Sequence, residues 1–475
     1  MMRSLFSGVS GLKNHQTRMD VIGNNIANVN TTGYKSSRVT FTDTLQQTLS
    51  GASAPMDNVG GTNPKQIGLG SAVGSIDMIM TDGSVQSTGK NTDLCLSGSG
   101  FFVVEGPGGT FYTRDGAFEF DKDGNYVLPG SGLFVQGWMA GEDGSINTSG
   151  DPGNIVVQAG KTMAATATKQ ATYNNNLDAG CAVITKITGG DPTTPGKATE
   201  EKPVTLEMSD GTKYTMTSGT YNIGESLPIV TVITAYDSLG KSHAIPVYFT
   251  KTQVDVDVDT DSEGNPIKGN IWRVSVSRDG AGDAEITEDD GTVTKVTLAP
   301  VELKFNSDGR FVAGSGQATL TLDNGATSGQ KVQIDLAGLT QYTGSSTVAS
   351  STDGNEMGTL KSISIDSAGV ITGTYTNGIN KQEAQVALAK FSNPAGLTKT
   401  GSSLYQESNN SGSVTKLYTA NDIGVTITPS ALEMSNVDIA NEFSDMIITQ
   451  RGFQSNSKII TVSDEMLETL VNMKR

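Results

Sequence analysis

The chain has 475 residues, of which 35% are hydrophobic and only 6% aromatic, values low for one large packed core and suited to several domains. Fifty acidic residues against 33 basic ones leave a formal net charge of −17, which disfavours nucleic acid and anionic membrane surfaces as partners. Two cysteines, two histidines and no run near ~20 apolar residues argue against a metal centre, a disulfide framework and a membrane-spanning helix, so no cofactor is expected.

At the N-terminus, Leu5, Leu12, Met19 and Ile26 recur every seven residues, with Gly8, His15, Ile22 and Val29 at the complementary spacing. That pattern predicts a helix over about 1–30 with one broadly apolar face, ended by Asn30-Thr31-Thr32-Gly33. Polar residues interrupt the apolar ones, so no cleaved signal peptide is expected. Residues 31–75, rich in Gly, Ser, Asn and Pro toward their end, read as an extended linker.

The middle is β-rich. Asp-Gly occurs at nine positions from Asp82-Gly83 to Asp353-Gly354, and Asn-Gly at Asn324-Gly325 and Asn377-Gly378. These dipeptides tolerate the positive φ of tight hairpins, and runs such as Thr231–Tyr236 alternate as strands do. The C-terminal stretch, about 432–475, holds no Pro and a single Gly, Gly452. There Ile439, Met446, Phe453, Ile460 and Leu467 occupy one heptad position, and Phe443, Gln450, Ser457, Asp464 and Val471 the other. The polar centre of that second row predicts a weak zipper in which Gln450, Ser457 and Asp464 fix register.

The expected fold is therefore mixed and mainly β, with a coiled-coil domain formed by both chain ends (1–30 plus 432–475). Nested within it are antiparallel β domains: an inner one from 76–150 plus 366–431, and an outer region, 151–365, of one or more modules. Each terminal helix needs a partner, either the other helix, closing a monomer, or a neighbouring subunit.

Three blocks carry a resemblance. Asn24-Asn25-Ile26-Ala27-Asn28 with Asn30-Thr31-Thr32-Gly33-Tyr34-Lys35 is the first. Gly98-Ser99-Gly100-Phe101-Phe102-Val103-Val104 with Tyr112-Thr113-Arg114-Asp115-Gly116 is the second. The third is Leu432-Glu433-Met434-Ser435-Asn436-Val437-Asp438 with Gln450-Arg451-Gly452-Phe453-Gln454. They resemble the rod and hook axial proteins of the bacterial flagellum. Tyr236-Asp237-Ser238-Leu239-Gly240 and Ala387–Leu397 are similar to the hook branch, and the length suits it better than the distal rod, which stays the nearer alternative. The resemblance implies a non-enzymatic, self-assembling subunit of a curved tube that transmits motor torque. Implied partners are further copies of the chain, rod, hook-cap and hook–filament junction proteins, and the flagellar type III export apparatus. The implied location is outside the cell, or in the periplasm for a spirochaete.

Other sites compete weakly. Asp121-x-Asp123-Gly124 and Asp259-x-Asp261-x-Glu263-Gly264 hint at calcium loops, but the second has Asn270 where a bidentate Glu is needed, and turns explain both. Cys95 reads as a small buried strand residue and His15 and His243 as structural. Cys181 stands at a junction that is similar to spirochaete hook proteins, where such a cysteine loses sulfur and the product is attacked by a lysine of a neighbouring subunit. Lys169 and Lys161 are the candidate nucleophiles, and an unmodified Cys181 is the alternative. A secreted β-rich adhesin is the remaining reading, disfavoured by only two tryptophans and by heptads at both ends.

Overall fold

The computed structural model describes residues 2–55, 60–190, 194, 196–260, 266–288, 291–312, 316–323 and 328–473. Asp290, Asn324-Gly325, and Asp261, Glu263 and Gly264 of the calcium-like loop lie outside the described residues, as do Lys474 and Arg475. The chain divides into two compact units, 1–161 with 360–475 and 162–359.

The first unit holds both ends. Helix α1 spans Met2–Ala27, a single-turn helix α2 spans Ala420–Ile423, and helix α3 spans Ile439–Asn472. α3 begins at the first heptad residue, seven residues after the expected boundary at about 432. Asp438 caps it by accepting from the amides of Ala440 and Asn441, and Ala431–Glu433 before it is a strand.

Residues 31–75, expected as a linker, are largely paired. Strand Ser37–Asp43 runs antiparallel to Ser71–Met78, and Gln46–Ser50 to Lys65–Gly68. The Gly and Pro that suggested a linker are concentrated near the far end of this hairpin, beyond its paired strands. Its outer strands bury nothing, and Leu45, Leu49 and Ile67 stand exposed.

The β body of this unit is organised by strand Phe101–Gly106. Because side chains alternate across a sheet, Phe102 and Val104 enter a core with Phe118, Tyr126, Val135, Ile371 and Val386. Phe101 and Val103 enter a second core with Tyr112, Phe391 and Tyr405. Burial on both faces is why this run is continuously apolar. The C-terminal chain then returns: Thr426–Pro429 pairs with Leu94–Ser97, and Ala431–Glu433 with Val85–Ser87. Two Asp-Gly pairs expected as hairpins serve close backbone approach instead, Gly83 to the returning chain and Gly116 to the strand that this chain pairs with. A Cβ at Gly83 would lie 1.8 Å from the Met434 carbonyl oxygen, and one at Gly116 1.7 Å from that of Leu94.

The second unit is a two-sheet structure around one core. Four strands (Ile229–Tyr236, Ser242–Thr260, Pro266–Ser275 and Val301–Asn306) and six others contribute Trp272, Tyr173, Phe249, Phe305 and Leu320 to it. Among the described residues one pairing departs from the antiparallel expectation: Gln170–Asp178 sits between Ser328–Tyr342, to which it runs parallel, and Ala349–Thr352, to which it runs antiparallel. A side module with its own small core of Ile184, Val204, Leu206, Met208 and Tyr221 is inserted between strands Gln170–Asp178 and Ile229–Tyr236 of the main sheets.

His243, structural as expected, is buried between two carboxylates. Its Nδ1 meets Glu288, and its Nε2 lies 3.6 Å from Asp237 Oδ2. Glu288 also accepts from Lys241 at 2.5 Å and from Thr294 at 2.7 Å. Burial alone would raise the Glu288 carboxyl, but these partners outweigh it and hold it at about 2 against an ordinary 4.5. A carboxyl depressed in the folded state stabilises fully above pH 4.5 and loses that contribution as pH falls toward about 2. The second unit, followed through buried Trp272 in a Trp138→Phe background, is therefore expected to weaken over this interval. Glu288→Gln should flatten that acid limb; an unchanged limb would contradict the assignment.

Candidate functional site

The two terminal helices lie antiparallel, and most of the contacts across their seam are small or polar, with Ile460 packed on Gly8. Ser4 meets Ser463, Gly8 faces Ile460, Gly11 faces Asn456, and His15 lies against Gly452. Arg18 pairs with Asp445 at 3.0 Å, and Asn25 donates to Glu442 at 2.9 Å. A Cβ at Gly452 would sit 2.6 Å from the His15 ring, which accounts for the one glycine in α3. Thr449 and Ser463 are fully buried along this seam, whereas Gln450, Ser457 and Asp464, expected to fix register, face solvent. Within one chain the helices are joined across the seam by the Arg18–Asp445 and Asn25–Glu442 contacts.

The apolar heptads flank this seam. Leu5, Leu12, Met19, Ile26, Met446, Ile460 and Leu467 are half-buried, while Ile439 and Phe453 are exposed. Further out, Phe6, Val9, Phe443, Ile447, Ile448, Val462, Met466 and Leu470 form an exposed apolar surface on the helix pair. Hydrophobic surface of that extent on a pair of helices is unusual for a finished monomer.

Below the helices the three sequence blocks converge. Asn25, buried, donates to Ser37 O and Glu442 and accepts from Ser37 N and Tyr34 Oη. Asn28 closes the end of α1 by donating to Asn24, and exposed Ala27 makes no comparable contact. Gly33 turns with φ +64, donates to the Glu433 carbonyl at 2.8 Å, and packs so tightly that a Cβ would meet Asp115 N at 2.5 Å. The next residues anchor a buried charge cluster. Lys35 Nζ donates to Glu433 at 2.6 Å and to Thr81 O at 2.8 Å, while Arg114 Nη1 donates to the other Glu433 oxygen at 3.2 Å. Gly83 N completes the shell at 2.9 Å. Burial pulls the Lys35 ammonium below its ordinary range against the opposing pull of Glu433, and Arg114 adds to the lowering.

Asn436 works beside it, accepting from Ser36 N and donating to Ile79 O. Lys399 lies 4.6 Å over the Tyr34 ring and donates to Lys35 O. Lys35, Arg114 and Glu433 stand in the quoted motifs but were given no role from sequence. The available signal was a charged residue in each of three distant blocks, Lys35 alone in the first, Arg114 beside Asp115 in the second and Glu433 with Asp438 and Arg451 in the third.

The cross-link candidates are dispersed. Cys181 is half-buried beside Lys251, whose Nζ donates to Ala179 O at 2.7 Å. Burial pushes the Cys181 thiol up, with Lys251 and Ser226 opposing. Lys169 is exposed and lies at the far end of strand Gln170–Asp178, nine residues or about 30 Å from the Cys181 end. Lys161 pairs with buried Glu383 at 2.6 Å. Cys95 is buried in strand Leu94–Ser97, its thiol pushed up to about 11 by burial and by Glu433. Among the described residues, no group of three or more His, Cys, Asp or Glu is placed to hold a metal ion.

Asn25→Ala removes an amide with four polar contacts at a buried position, leaving Ser37 and Glu442 unsatisfied. A loss of about 2–3 kcal/mol in docking of the helices is expected, read as faster proteolysis within both 2–27 and 439–472. Unchanged cleavage would contradict that role.

Four family models match the chain: Flagella basal body rod protein over 5–35, Flagellar hook protein FlgE/F/G D1 domain over 95–172, Flagellar basal body protein FlaE D2 domain over 226–355, and Flagellar basal body rod FlgEFG protein C-terminal over 428–473. The charge cluster draws on three of these segments. Flagellar hook protein FlgE of Borreliella burgdorferi is 40% identical, and that of Treponema pallidum 39%, each over 100% of both chains. The basal-body rod protein FlgG of Bacillus subtilis is 30% identical over 100% of both. With hook proteins matched end to end at the higher identity, the chain belongs to the flagellar hook protein FlgE family.

Proposed function

We propose that this chain is the structural subunit of the flagellar hook, polymerising into a short curved tube that transmits motor torque to the filament. The observation that carries the reading is the division of labour on the terminal helices. Their mutual seam is small and polar, and much of their apolar surface faces outward. Burying that surface between copies supplies the drive for assembly, at roughly 25 cal/mol per Å² of apolar area. The seam's ion pair and hydrogen bonds set how each copy presents it. The exposed hairpin strands 46–50 and 65–68 offer a second contact between copies. Rod, cap and junction proteins would meet the same surfaces at the ends of the tube, and export would deliver the chain to its outer location. An adhesin has no use for such helices.

The outward face is testable without disturbing the seam. Ile447→Asp with Ile448→Asp should leave helix content and the urea midpoint of the monomer within about 0.5 kcal/mol, as surface changes do, yet abolish tubes in electron micrographs. Tubes of normal length from this variant would sink the proposal.

The second part of the reading concerns Cys181. A base removes its Cα proton, the sulfur leaves as hydrosulfide, and dehydroalanine remains. The neutral amine of a lysine then adds to Cβ while Cα regains a proton, so each bond releases one molecule of hydrogen sulfide overall. The ~30 Å from Lys169 to Cys181 along one strand means that Lys169 would act from another copy. Its exposure favours it over Lys161, whose ammonium answers buried Glu383. Tubes boiled in detergent with reductant should resist release of monomers, and Cys181→Ser and Lys169→Ala should both restore it. Ready release from unaltered tubes would exclude the bond, and release by Lys161→Ala but not Lys169→Ala would reassign the nucleophile.

A further inference from the structure

The second unit is one continuous segment with its own core, whereas the core of the first is closed by strands from both sides of the sequence. At that closure the charge cluster is unevenly supplied. Lys35 and Arg114 are 1% and 3% exposed in their side chains, and Glu433, at 1%, is the carboxylate that faces both. Their other neighbours are the carbonyls of Thr81, Leu96 and Gly98 and the carboxylate of Asp82, which is 44% exposed and reaches only Arg114, at 3.4 Å. Lys35 therefore has no other charged partner at contact distance in this cluster. Two cations enclosed together without a shared anion repel each other and lose their hydration.

We propose that Glu433 is a closing latch. The first unit stays open until residue 433 docks, so it closes after the second unit has folded. A chain made from its N-terminus acquires Lys35 and Arg114 long before Glu433. The cations thus oppose closure of an incomplete chain, and the carboxylate near its end removes the opposition. The two strands that lead up to and include Glu433, 426–429 pairing with 94–97 and 431–433 with 85–87, convert its arrival into closure of the sheet that buries Cys95.

The full-length chain carries its own reporters: Cys95 in the first unit and Trp272 in the second, both buried. In a Cys181→Ser, Trp138→Phe background diluted from urea, Trp272 emission should recover before Cys95 becomes protected from a thiol reagent. Glu433→Gln should leave the Trp272 phase unchanged and speed Cys95 labelling in native buffer by roughly a hundredfold or more. Adding Lys35→Met and Arg114→Leu to Glu433→Leu should restore most of the protection, because without the cations no counter-charge is needed. The latch is refuted if Cys95 is protected no later than Trp272 recovers, if Glu433→Gln labels like the parent, or if the triple variant labels as fast as Glu433→Gln.

Discussion

The carboxylate of Glu433, buried between Lys35 and Arg114, is the contact on which the arrangement of the first unit turns. One oxygen answers the residue that follows the turn after α1, and the other answers the hairpin that organises the β body. Its backbone carbonyl holds Gly33, and six residues later α3 begins. Breaking such a buried pair typically costs about 3–5 kcal/mol, because the unpaired charge stays enclosed. The cluster thus ties both helices to a rigid base at one end, while further along they hold each other mostly by small and polar contacts.

That division has a mechanical consequence for a torque-bearing tube. A greasy intramolecular seam would satisfy the helices within one copy and leave little reason to assemble. Here Gly8, Gly11 and Gly452 permit close approach, Arg18–Asp445 and Asn25–Glu442 join the helices, and Phe443, Ile447 and Ile448 stay exposed. The second unit has a core of its own.

Much of this was legible in the residues. Heptads at both ends gave two helices that belong together, and Asp-Gly turns gave the β-rich middle. What escaped has identifiable physical causes. Seven-residue spacing marks a stripe but not the partner it meets, and in α3 the row Glu442, Thr449, Asn456, Ser463 repeats as faithfully as Ile439 to Leu467. Convention assigns the seam to the apolar row; Glu442 with Asn25, Asn456 against Gly11 and Ser463 with Ser4 show the polar row lying on it. Residues 31–75 looked like a linker because composition weighs Gly and Pro at a hairpin's end above the strands beneath. Lys35, Arg114 and Glu433 are each unremarkable as surface residues, and only the pairing of 426–433 with 85–97 reveals them as one site.

The most direct measurement of the central claim is accessibility of single cysteines placed on α3, in monomer and in assembled tube. With the native cysteines replaced by serine, a cysteine at position 448 should label freely in the monomer and become protected in the tube. One at position 449, on the seam, should be protected in both. Protection at 448 already present in the monomer, or free labelling there in the tube, would contradict the account.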